Sequence, residues 1–545
     1  MGAEEGATPV PQQHPEAPER SLVTILSRVA ADPRLSVAAA VSCDGAERSF
    51  GELHSRSQRL AGGLAAAGIR RGDRVSVLLP NRIEWVELLF GIAAAGGVCV
   101  PVNVLLRPAE VAHVCEDSGS RWLVVDGQSL DLLSELPDCV ERVVVVGEAA
   151  VELDPEPIPY EDLIADQEPI AGEGPRPEDL AIIYYSSGTT GKPKGAAHTH
   201  TSVLWNAMGQ IVDIGLTPAD TYLLVPSLSW AAGFNNVFLS LLWLGGRSVV
   251  LPTRETAIAS IVANLESSRA THLMLVPTLV KQLLERPDLI ARVRECELRW
   301  IMTGGEPIPK SLIESFEGQL PECRLAQAYG MSEFPTIATI LGSEHAASHA
   351  GSAGLPLCHT QIAVRDDEGR IVERGEGEIL LRSLAVMREY FGNPEETARV
   401  FADGWFASGD RGRIDAEGFL SITGRVKDMI ISGGLNVYPR EIEEIIYRLD
   451  DVTEACVVGV PDERWGEVPA AVIVSEREQW EAATVIEHCR QSLASYKCPK
   501  HVFVRSERLP RNPSGKVLKR EVAPWAAERV KSSSSRQKAE VTHGD

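Results

Sequence analysis

The sequence predicts an α/β protein in which a large N-terminal domain precedes a small, mobile α+β domain. Three observations support this fold class. The chain has 545 residues, more than one hydrophobic core usually organises. Strand-like and helix-like segments alternate over residues 21–168 and again beyond residue 195, which is typical of doubly wound sheets with helices on both faces. Beyond residue 424 the pattern becomes compact over about 100 residues, enough for a separate domain.

The large domain is expected to begin with elements that differ in hydrophobic period. Residues 50–67 and 84–95 predict helices, and residues 74–79, 122–126, 142–147 and 180–185 predict strands. A further helix is expected at 202–211, and the alternation continues through 222–225, 248–251, 258–265, 272–276 and 279–284. Residues 375–381 and 418–422 then predict a β-rich subregion.

The small domain is predicted from a compact set of segments. Pro439 suits the first turn of a helix over 439–449, in which Ile442, Ile445, Ile446 and Leu449 share one apolar face. Strands are expected at 455–460, 470–474 and 501–504, and a second helix at 480–493.

Composition excludes several classes of protein. The formal net charge of -23 argues against a broad nucleic-acid surface. Ten cysteines without a C-x-x-C pair indicate reduced thiols and no zinc site. Residues 1–20 lack the basic and apolar regions of a signal peptide, and the longest apolar stretch, 88–106, is interrupted by Gly and Pro. We therefore expect a cytoplasmic protein without a membrane span.

Residues 186–195 read S-S-G-T-T-G-K-P-K-G and follow a predicted strand. Glycines let backbone N–H groups approach a ligand, hydroxyls donate hydrogen bonds, and lysines add positive charge. Pro193 after Lys192 excludes a Walker A loop, which requires Ser or Thr there. The loop is predicted to bind polyphosphate through Ser186, Ser187, Gly188, Thr189, Thr190, Gly191, Lys192 and Lys194.

Five further motifs follow the loop. They are Gly304-Gly305-Glu306-Pro307, Tyr329-Gly330-Met331-Ser332-Glu333, a W-F-A-S-G-D stretch ending at Asp410, a hinge at 424–428, and a late P-R-N-P-S-G-K stretch ending at Lys516. In this order the set resembles the adenylate-forming superfamily, which includes acyl- and aryl-CoA synthetases, peptide-synthetase adenylation domains and beetle luciferases. The resemblance covers about residues 21–525 and is closest to the acyl- and aryl-CoA ligases.

The resemblance implies roles for these residues and implies ATP, Mg²⁺ and CoA as cofactors. Segment 304–307, with Tyr329, Gly330 and Met331, is expected against the nucleotide. Glu333 and Thr189 are expected to hold Mg²⁺, since a hard cation prefers oxygen. Ser332 is expected at the α-phosphate, Asp410 at the ribose hydroxyls with Arg425 beside it, and Lys516 where charge develops during acyl transfer. His198 and His200 lie beside the loop, where packing explains them adequately.

The same resemblance divides the chain. Disordered ends are expected at 1–20 and 526–545, a large ATP- and acyl-binding domain at 21–424, a hinge at 425–429 containing Lys427, and a small catalytic lid domain at 430–525. The small domain is expected to swing at the hinge between half-reactions. Residues 430–439 resemble the glycine-rich CoA-ligase stretch that lines the pantetheine route, so Ser432, Gly433, Gly434 and Leu435 are CoA-binding candidates, with Leu435 replacing an acidic residue.

The acyl pocket departs from the usual CoA-ligase pattern. Trp230 lies nearest the position where many relatives have a histidine, and it could gate the pocket or simply pack in the core. No aspartate occurs between residues 226 and 242, which argues against an α-amino acid substrate. The candidates Trp230, Ala231, Gly233, Phe234, Asn235, Gly330 and Met331 suggest an apolar cavity for a medium-chain, aromatic or alicyclic acid.

The leading hypothesis is an AMP-forming acid–CoA ligase that works through an acyl-adenylate. A second reading transfers the acyl group to the phosphopantetheine of a carrier protein, or stops after one half-reaction. A third reading is a non-catalytic nucleotide-binding sensor. The expected partners are small molecules, with monomer and homodimer both open.

Overall fold

A computed structural model describes residues 21–130, 133, 135–148, 154–165, 167–170, 174–186, 193–305, 308, 310–449, 451–475, 481–511 and 517–541. These residues form four sheets with helices packed against them. Three sheets precede residue 426, and the fourth belongs to the smaller C-terminal part. The predicted α/β fold class is therefore confirmed.

The first sheet has eight strands. In spatial order they are Glu389–Tyr390, Lys194–Thr199, Leu180–Ser186, Val98–Val102, Arg74–Leu78, Trp122–Asp126, Arg142–Val146 and Ile158–Pro159. The central strands pair in parallel, whereas Lys194–Thr199 runs antiparallel to Leu180–Ser186. The loop that is predicted to bind polyphosphate therefore follows one of two antiparallel neighbours and precedes the other, with Ser186 opposite Lys194.

The second sheet has nine strands. In spatial order they are Leu355–Pro356, Phe334–Leu341, Arg324–Met331, Trp300–Gly304, His272–Met274, Thr221–Leu224, Arg247–Val250, Ala39–Cys43 and Ala46–Ser49. Gly304 pairs with Ala328 in the parallel register of two neighbouring strands. Strand Trp300–Gly304 ends where the 304–307 motif begins, and strand Arg324–Met331 ends within the 329–333 motif. The register therefore places these two motifs side by side.

Helix Phe50–Ala66 shows how a local sequence signal starts a helix of the large N-terminal part. Ser49 starts the helix over Phe50–Ala66 with a capping box, because its hydroxyl accepts the Glu52 N–H and Glu52 accepts the Ser49 N–H. The helices are Leu22–Ala31, Pro33–Ser36, Phe50–Ala66, Ile83–Ala94, Pro108–Ser118, Gly127–Leu130, His200–Ile214, Ala231–Phe234, Phe238–Leu244, Ile258–Ser268, Pro277–Leu284, Pro287–Arg294, Lys310–Gln319, Ser343–Ala346 and Pro394–Val400, with 3₁₀ turns at Tyr160–Leu163 and Val426–Asp428.

Helix Ile83–Ala94 lies in the core between the two large sheets. Every residue of it except Glu84 is buried, and one hydrophobic cluster joins it to strands of both sheets. A helix that is apolar all round must be enclosed by protein. Its one buried charge, Glu87, is fully paired: Arg48 and Arg56 contact Oε1 at 2.9 and 2.7 Å, and the Tyr160 hydroxyl donates to Oε2 at 2.6 Å.

The third sheet is the predicted β-rich subregion. Its strands are Ile371–Val372, Gln361–Arg365, Gly375–Arg382, Trp405–Ile414 and Phe401–Ala402, with Leu420–Arg425 paired to Trp405–Ile414. That last pairing is antiparallel and sets Asp410 opposite Arg425.

The C-terminal sheet consists of Leu435–Val437, Ile430–Ser432, Gly466–Ser475, Val452–Asp462 and His501–Arg505. Helices Pro439–Ile446, Ala482–Arg490 and Lys519–Val541 accompany it. The expected apolar face is correct, since Ile442, Ile445 and Ile446 are buried in one cluster and Leu449 packs against it.

The last helix runs over Lys519–Val541, so residues 526–541 are helical here, where the sequence predicts a disordered tail. Val522 and Ala526 are buried in a cluster of the C-terminal sheet, and Arg505 and Arg529 contact the Trp525 ring. After this packed first part, the helix continues through residues with good helix propensity, such as Ala527 and Lys531. Residues 1–20 and 542–545 lie outside the described part of the chain.

Among the described residues, no helix combines the length and apolar character that crossing a membrane would require.

Glu87 provides a test of this core. We expect Glu87→Gln to lower the free energy of unfolding by about 3 kcal/mol, because two guanidinium groups would then face a neutral amide in a buried setting. Chemical denaturation of the full chain measures this change in the free energy of unfolding. Glu161→Gln is the matched control, since Glu161 also pairs with Arg56 but is exposed, and we expect less than about 0.5 kcal/mol there. Equal losses in the two variants would contradict the account.

Candidate active site

Asp410 lies at the centre of the candidate site. Its buried carboxylate accepts the Tyr329 hydroxyl at Oδ2, 2.8 Å away, and pairs at Oδ1 with Arg425 Nε at 3.0 Å. Its own N–H donates to the Ser408 hydroxyl at 3.1 Å. A carboxylate offers about four acceptor positions, so capacity remains for two further donors such as ribose hydroxyls.

The two partners of Asp410 have shifted pKa values. Burial, followed by the charge of Asp410, raises the pKa of Tyr329 well above its ordinary value, so its hydroxyl stays a donor. Burial opposes the charge of Arg425, but Asp410 and Asp428 outweigh burial and raise the pKa of its guanidinium. The charge of Glu333 also contributes to that rise.

The turn after Tyr329 requires glycine. A Cβ on Gly330 would lie 1.5 Å from the Thr336 carbonyl oxygen, so no larger residue fits without moving the backbone. In the same turn the Ser332 carbonyl contacts His198 Nε2 at 2.7 Å. Burial lowers the pKa of His198 to about 4, so the ring is neutral and Nε2–H donates to the carbonyl. His198 therefore holds the turn, and His200 accepts the Leu22 N–H at 3.3 Å, away from it.

Glu333 follows Ser332 and is half-buried. Its Oε1 accepts the Tyr390 hydroxyl at 2.9 Å, and its carbonyl accepts the Met387 N–H at 2.8 Å. An oriented carboxylate oxygen is the ligand type that Mg²⁺ takes, and the described residues contain no cluster of three or more His, Cys, Asp or Glu that could form an all-protein metal cage. The site therefore fits Mg²⁺ held by one carboxylate together with substrate phosphates.

The polyphosphate loop is described at its two ends. Lys194 Nζ pairs with Glu396 Oε1 and lies 5.4 Å from the centroid of the Tyr390 ring. His113 Nε2 contacts the Pro193 carbonyl at 3.0 Å. Ser187, Gly188, Thr189, Thr190, Gly191 and Lys192 lie outside the described residues.

The segment expected at the adenine lies beside Tyr329. A Cβ on Gly304 would lie 2.9 Å from the Ala328 carbonyl oxygen, and Gly305 has a φ of +86°, so both positions favour glycine. Glu306 and Pro307 lie outside the described residues.

The acyl candidates divide into two groups. Trp230 and Met331 are half-buried, whereas Phe234 is in the core, where its ring centroid lies 6.5 Å from that of Phe90. Ala231, Gly233 and Asn235 are also buried; a Cβ on Gly233 would lie 1.9 Å from the Ser227 carbonyl oxygen. Asn235 Nδ2 donates to the Tyr184 hydroxyl at 3.2 Å, so it belongs to a buried polar network.

The CoA candidates form a hairpin of the C-terminal sheet. Ser432 is buried, Leu435 is 49% exposed, and Gly433 and Gly434 have φ values of +59° and +83°. The Gly433 N–H donates to the Trp465 carbonyl at 2.8 Å, which holds the hairpin.

The hinge lies close to the Asp410 group. Lys427 is exposed, yet the protein packed around it, followed by the charge of Arg425, lowers its pKa to about 8. The charge of Lys194 also lowers this pKa. Lys516 lies outside the described residues, between Arg511 and Val517, which form an antiparallel bridge.

Tyr390 and Glu396 were not predicted from the sequence, although both contact predicted site residues. They lie in a stretch, E-Y-F-G-N-P-E-E, whose Asn-Pro pair predicts only a turn and a helix start. Their site contacts span 57 and 202 positions of the chain, which no local pattern indicates.

Comparison with known proteins gives two matching family models. The model described as AMP-binding enzyme matches residues 28–391, and that described as AMP-binding enzyme C-terminal domain matches residues 441–516.

Curated relatives are similar over nearly their whole length. The chain is 36% identical to a long-chain-fatty-acid–CoA ligase from Mycobacterium tuberculosis, over 90% of this chain and 95% of that protein. It is 35% identical to a fatty acid–[acyl-carrier-protein] ligase from Streptomyces coeruleorubidus, over 89% and 92%. A solved structure of O-succinylbenzoate coenzyme A synthetase from Bacillus subtilis, in complex with ATP and magnesium ion, matches with a TM-score of 0.79 and 30% identity, over 91% of this chain and 98% of that one.

The hinge lysine yields a pH prediction. Because the pKa of Lys427 lies near 8 and not at the ordinary 10.5, the native state disfavours its charge; the side chain stays charged below pH 8 and becomes neutral as pH rises through 8. We expect competitive labelling with an amine acylating reagent, followed by mass spectrometry, to give Lys427 a reactivity midpoint near pH 8.

Lys497 is the comparison residue. Burial opposes its charge, but its bonds to Glu441 at 2.7 and 2.8 Å raise its pKa, so its midpoint should lie above pH 10.5. A midpoint for Lys427 as high as that of Lys497 would show that the hinge environment is described incorrectly.

Proposed function

The chain belongs to the AMP-binding enzyme family, as its motifs predicted, and we propose that it joins a hydrophobic carboxylic acid to CoA in two ATP-dependent half-reactions. It is an acid–thiol ligase of the acyl- and aryl-CoA ligase group. The substrate class, the order of steps and the residue roles are the proposal.

One observation supports this proposal above the others: three sheets each supply charged or polar groups to one place. Lys194 and Tyr390 come from the eight-stranded sheet, and Tyr329 comes from the nine-stranded sheet with Glu333 in the turn that follows. Asp410 and Arg425 come from the β-rich sheet. Tyr329 contacts Asp410 and Tyr390 contacts Glu333, so cation, carboxylate and hydroxyl groups form one continuous site.

In the first half-reaction a carboxylate oxygen of the acid attacks the α-phosphorus of ATP. The bond from that phosphorus to the bridging oxygen breaks, pyrophosphate leaves, and an acyl-adenylate forms. Both reactants are anions, so the site must neutralise charge and align them. Lys194 and the rest of its loop would hold the β- and γ-phosphates, and Mg²⁺, when bound at Glu333 and Thr189, supplies further positive charge.

The remaining residues would orient the nucleotide. Asp410 accepts the ribose hydroxyls, with Arg425 beside it, and Gly304, Gly305, Gly330 and Met331 form the nucleotide surface. Ser332 donates toward the α-phosphate. Lys516 provides an ammonium group where negative charge grows between the carboxylate and the α-phosphate.

In the second half-reaction the CoA sulfur attacks the acyl carbonyl carbon, the thiol proton is lost, and AMP leaves with the electron pair of the acyl–phosphate bond. Ser432, Gly433, Gly434 and Leu435 would line the thiol route after a swing at Lys427. The exposed Leu435 favours contact with the uncharged pantetheine arm.

The half-buried Trp230 and Met331 support a hydrophobic acid. A relative named for long-chain fatty acids supports that class. A cytoplasmic location remains part of the proposal.

Transfer to a carrier protein is the second candidate. It is favoured by the similarity to a fatty acid–[acyl-carrier-protein] ligase, and both acceptors present the same pantetheine thiol.

The decisive experiment measures CoA-dependent AMP release and pyrophosphate release in parallel, against fatty, aromatic and alicyclic acids. We expect both products with one acid class. Lys516→Ala should reduce turnover about 100- to 1,000-fold while retaining ATP binding.

Release of pyrophosphate without formation of a thioester would favour a carrier protein as the acyl acceptor. An assay with a phosphopantetheinylated carrier protein would then test that acceptor. Absence of both products with every acid, despite ATP binding, would contradict the catalytic proposal and favour a nucleotide sensor.

A further inference from the structure

Tyr390 lies between the two opposite charges that the proposed reaction needs. Its hydroxyl donates to Glu333 Oε1 at 2.9 Å, and the ammonium of Lys194 lies 5.4 Å from the centroid of its ring. A carboxylate only accepts hydrogen bonds, so the direction of the first contact is fixed. The second contact has the geometry of a cation–π interaction.

The ring is held rigidly. Tyr390 is 8% exposed, and its strand pairs with Lys194–Thr199 so that Tyr390 lies opposite Ala196. Its N–H donates to the Thr397 hydroxyl at 3.0 Å, and its carbonyl accepts the Asn393 N–H at 3.0 Å. With its backbone bonded on both sides, the side chain can hold the Glu333 carboxylate in one orientation.

Lys194 is fixed from the opposite side. Glu396 accepts from Lys194 and also pairs with Arg399; Glu396 lies in the first turn of helix Pro394–Val400, which follows Tyr390, and Arg399 lies in its last turn. The Lys194 ammonium is therefore confined between the Glu396 carboxylate and the Tyr390 ring face.

We propose that Tyr390 is a positioning residue that fixes the distance and orientation of Glu333 relative to Lys194, so that Mg²⁺ and the phosphates of ATP bind as one unit. This inference rests on the proposed function, because that function assigns Glu333 to the metal and Lys194 to the phosphates. The hydroxyl orients the carboxylate, and the ring face orients the ammonium. Groups that orient metal ligands in this way typically contribute about 10- to 100-fold to metal affinity or activity.

Two substitutions separate the two contacts. Tyr390→Phe removes the hydroxyl and keeps the ring face, whereas Tyr390→Leu removes both. We expect Tyr390→Phe to raise the Mg²⁺ concentration for half-maximal pyrophosphate exchange about 10- to 100-fold, with most of the rate recovered at saturating Mg²⁺. Tyr390→Leu should in addition weaken binding of metal-free ATP.

A binding measurement makes the test independent of turnover. Calorimetric titration of the full chain with ATP, with and without Mg²⁺ and without any acid, gives the gain in ATP affinity that Mg²⁺ provides. Tyr390→Phe should lose most of this gain and leave metal-free ATP affinity unchanged.

Tyr160→Phe is the matched control, because it removes a hydroxyl from another buried Tyr–Glu pair, Tyr160–Glu87, which lies outside the site. It should cost stability but leave the Mg²⁺ dependence at the wild-type value. A Tyr390→Phe variant with wild-type Mg²⁺ dependence, or with stability loss alone like Tyr160→Phe, would overturn the inference. Mg²⁺-dependent ATP binding without pyrophosphate exchange in the wild type would instead contradict the proposed function, while the titrations would still decide the role of Tyr390.

Discussion

The burial of the Asp410 carboxylate is the constraint on which the site depends. A buried charge must be compensated, and Asp410 obtains its partners from the Tyr329 hydroxyl and the Arg425 guanidinium. Tyr329 comes from the nine-stranded sheet, whereas Asp410 and Arg425 pair within the β-rich sheet. This hydrogen bond therefore joins the two sheets, and it leaves acceptor capacity on Asp410 for a polar ligand. Stability and the proposed ribose contact follow from the same atoms.

Tyr390 forms a second link between sheets, in which a tyrosine hydroxyl again donates to a carboxylate. The eight-stranded sheet supplies a hydroxyl to a carboxylate that follows a strand of the nine-stranded sheet. Charge compensation thus joins all three sheets at one place without an all-protein metal cage among the described residues. At the start of the C-terminal part, burial and then the charge of Arg425 lower the pKa of Lys427.

The sequence was sufficient for the fold class because hydrophobic period and strand–helix alternation are local properties. The structure agrees closely at helix Phe50–Ala66 and strand Trp122–Asp126. The long final helix was missed, because its stability starts from the packing of Val522 and Trp525 and not from a local apolar period. In the site, Asp410 and Glu333 were found through contiguous motifs, whereas Tyr390 was missed because its partner is 57 positions away. The roles of Lys516 and the loop residues 187–192 stay predictions, since these residues are outside the described chain.

The central claim is that Asp410 receives the ribose hydroxyls, and a comparison of ATP with 2′-deoxy-ATP and 3′-deoxy-ATP tests it most directly. We predict that the wild type loses about tenfold in affinity with a deoxy nucleotide, as expected for a lost hydrogen bond to a charged group, and that Asp410→Asn loses less than about threefold. Asp367→Asn is the control, because Asp367 lies near the same sheet, pairs with Arg411 at 2.8 Å and is exposed. An equal loss in the wild type and Asp410→Asn would show that the ribose is recognised elsewhere and would contradict the account.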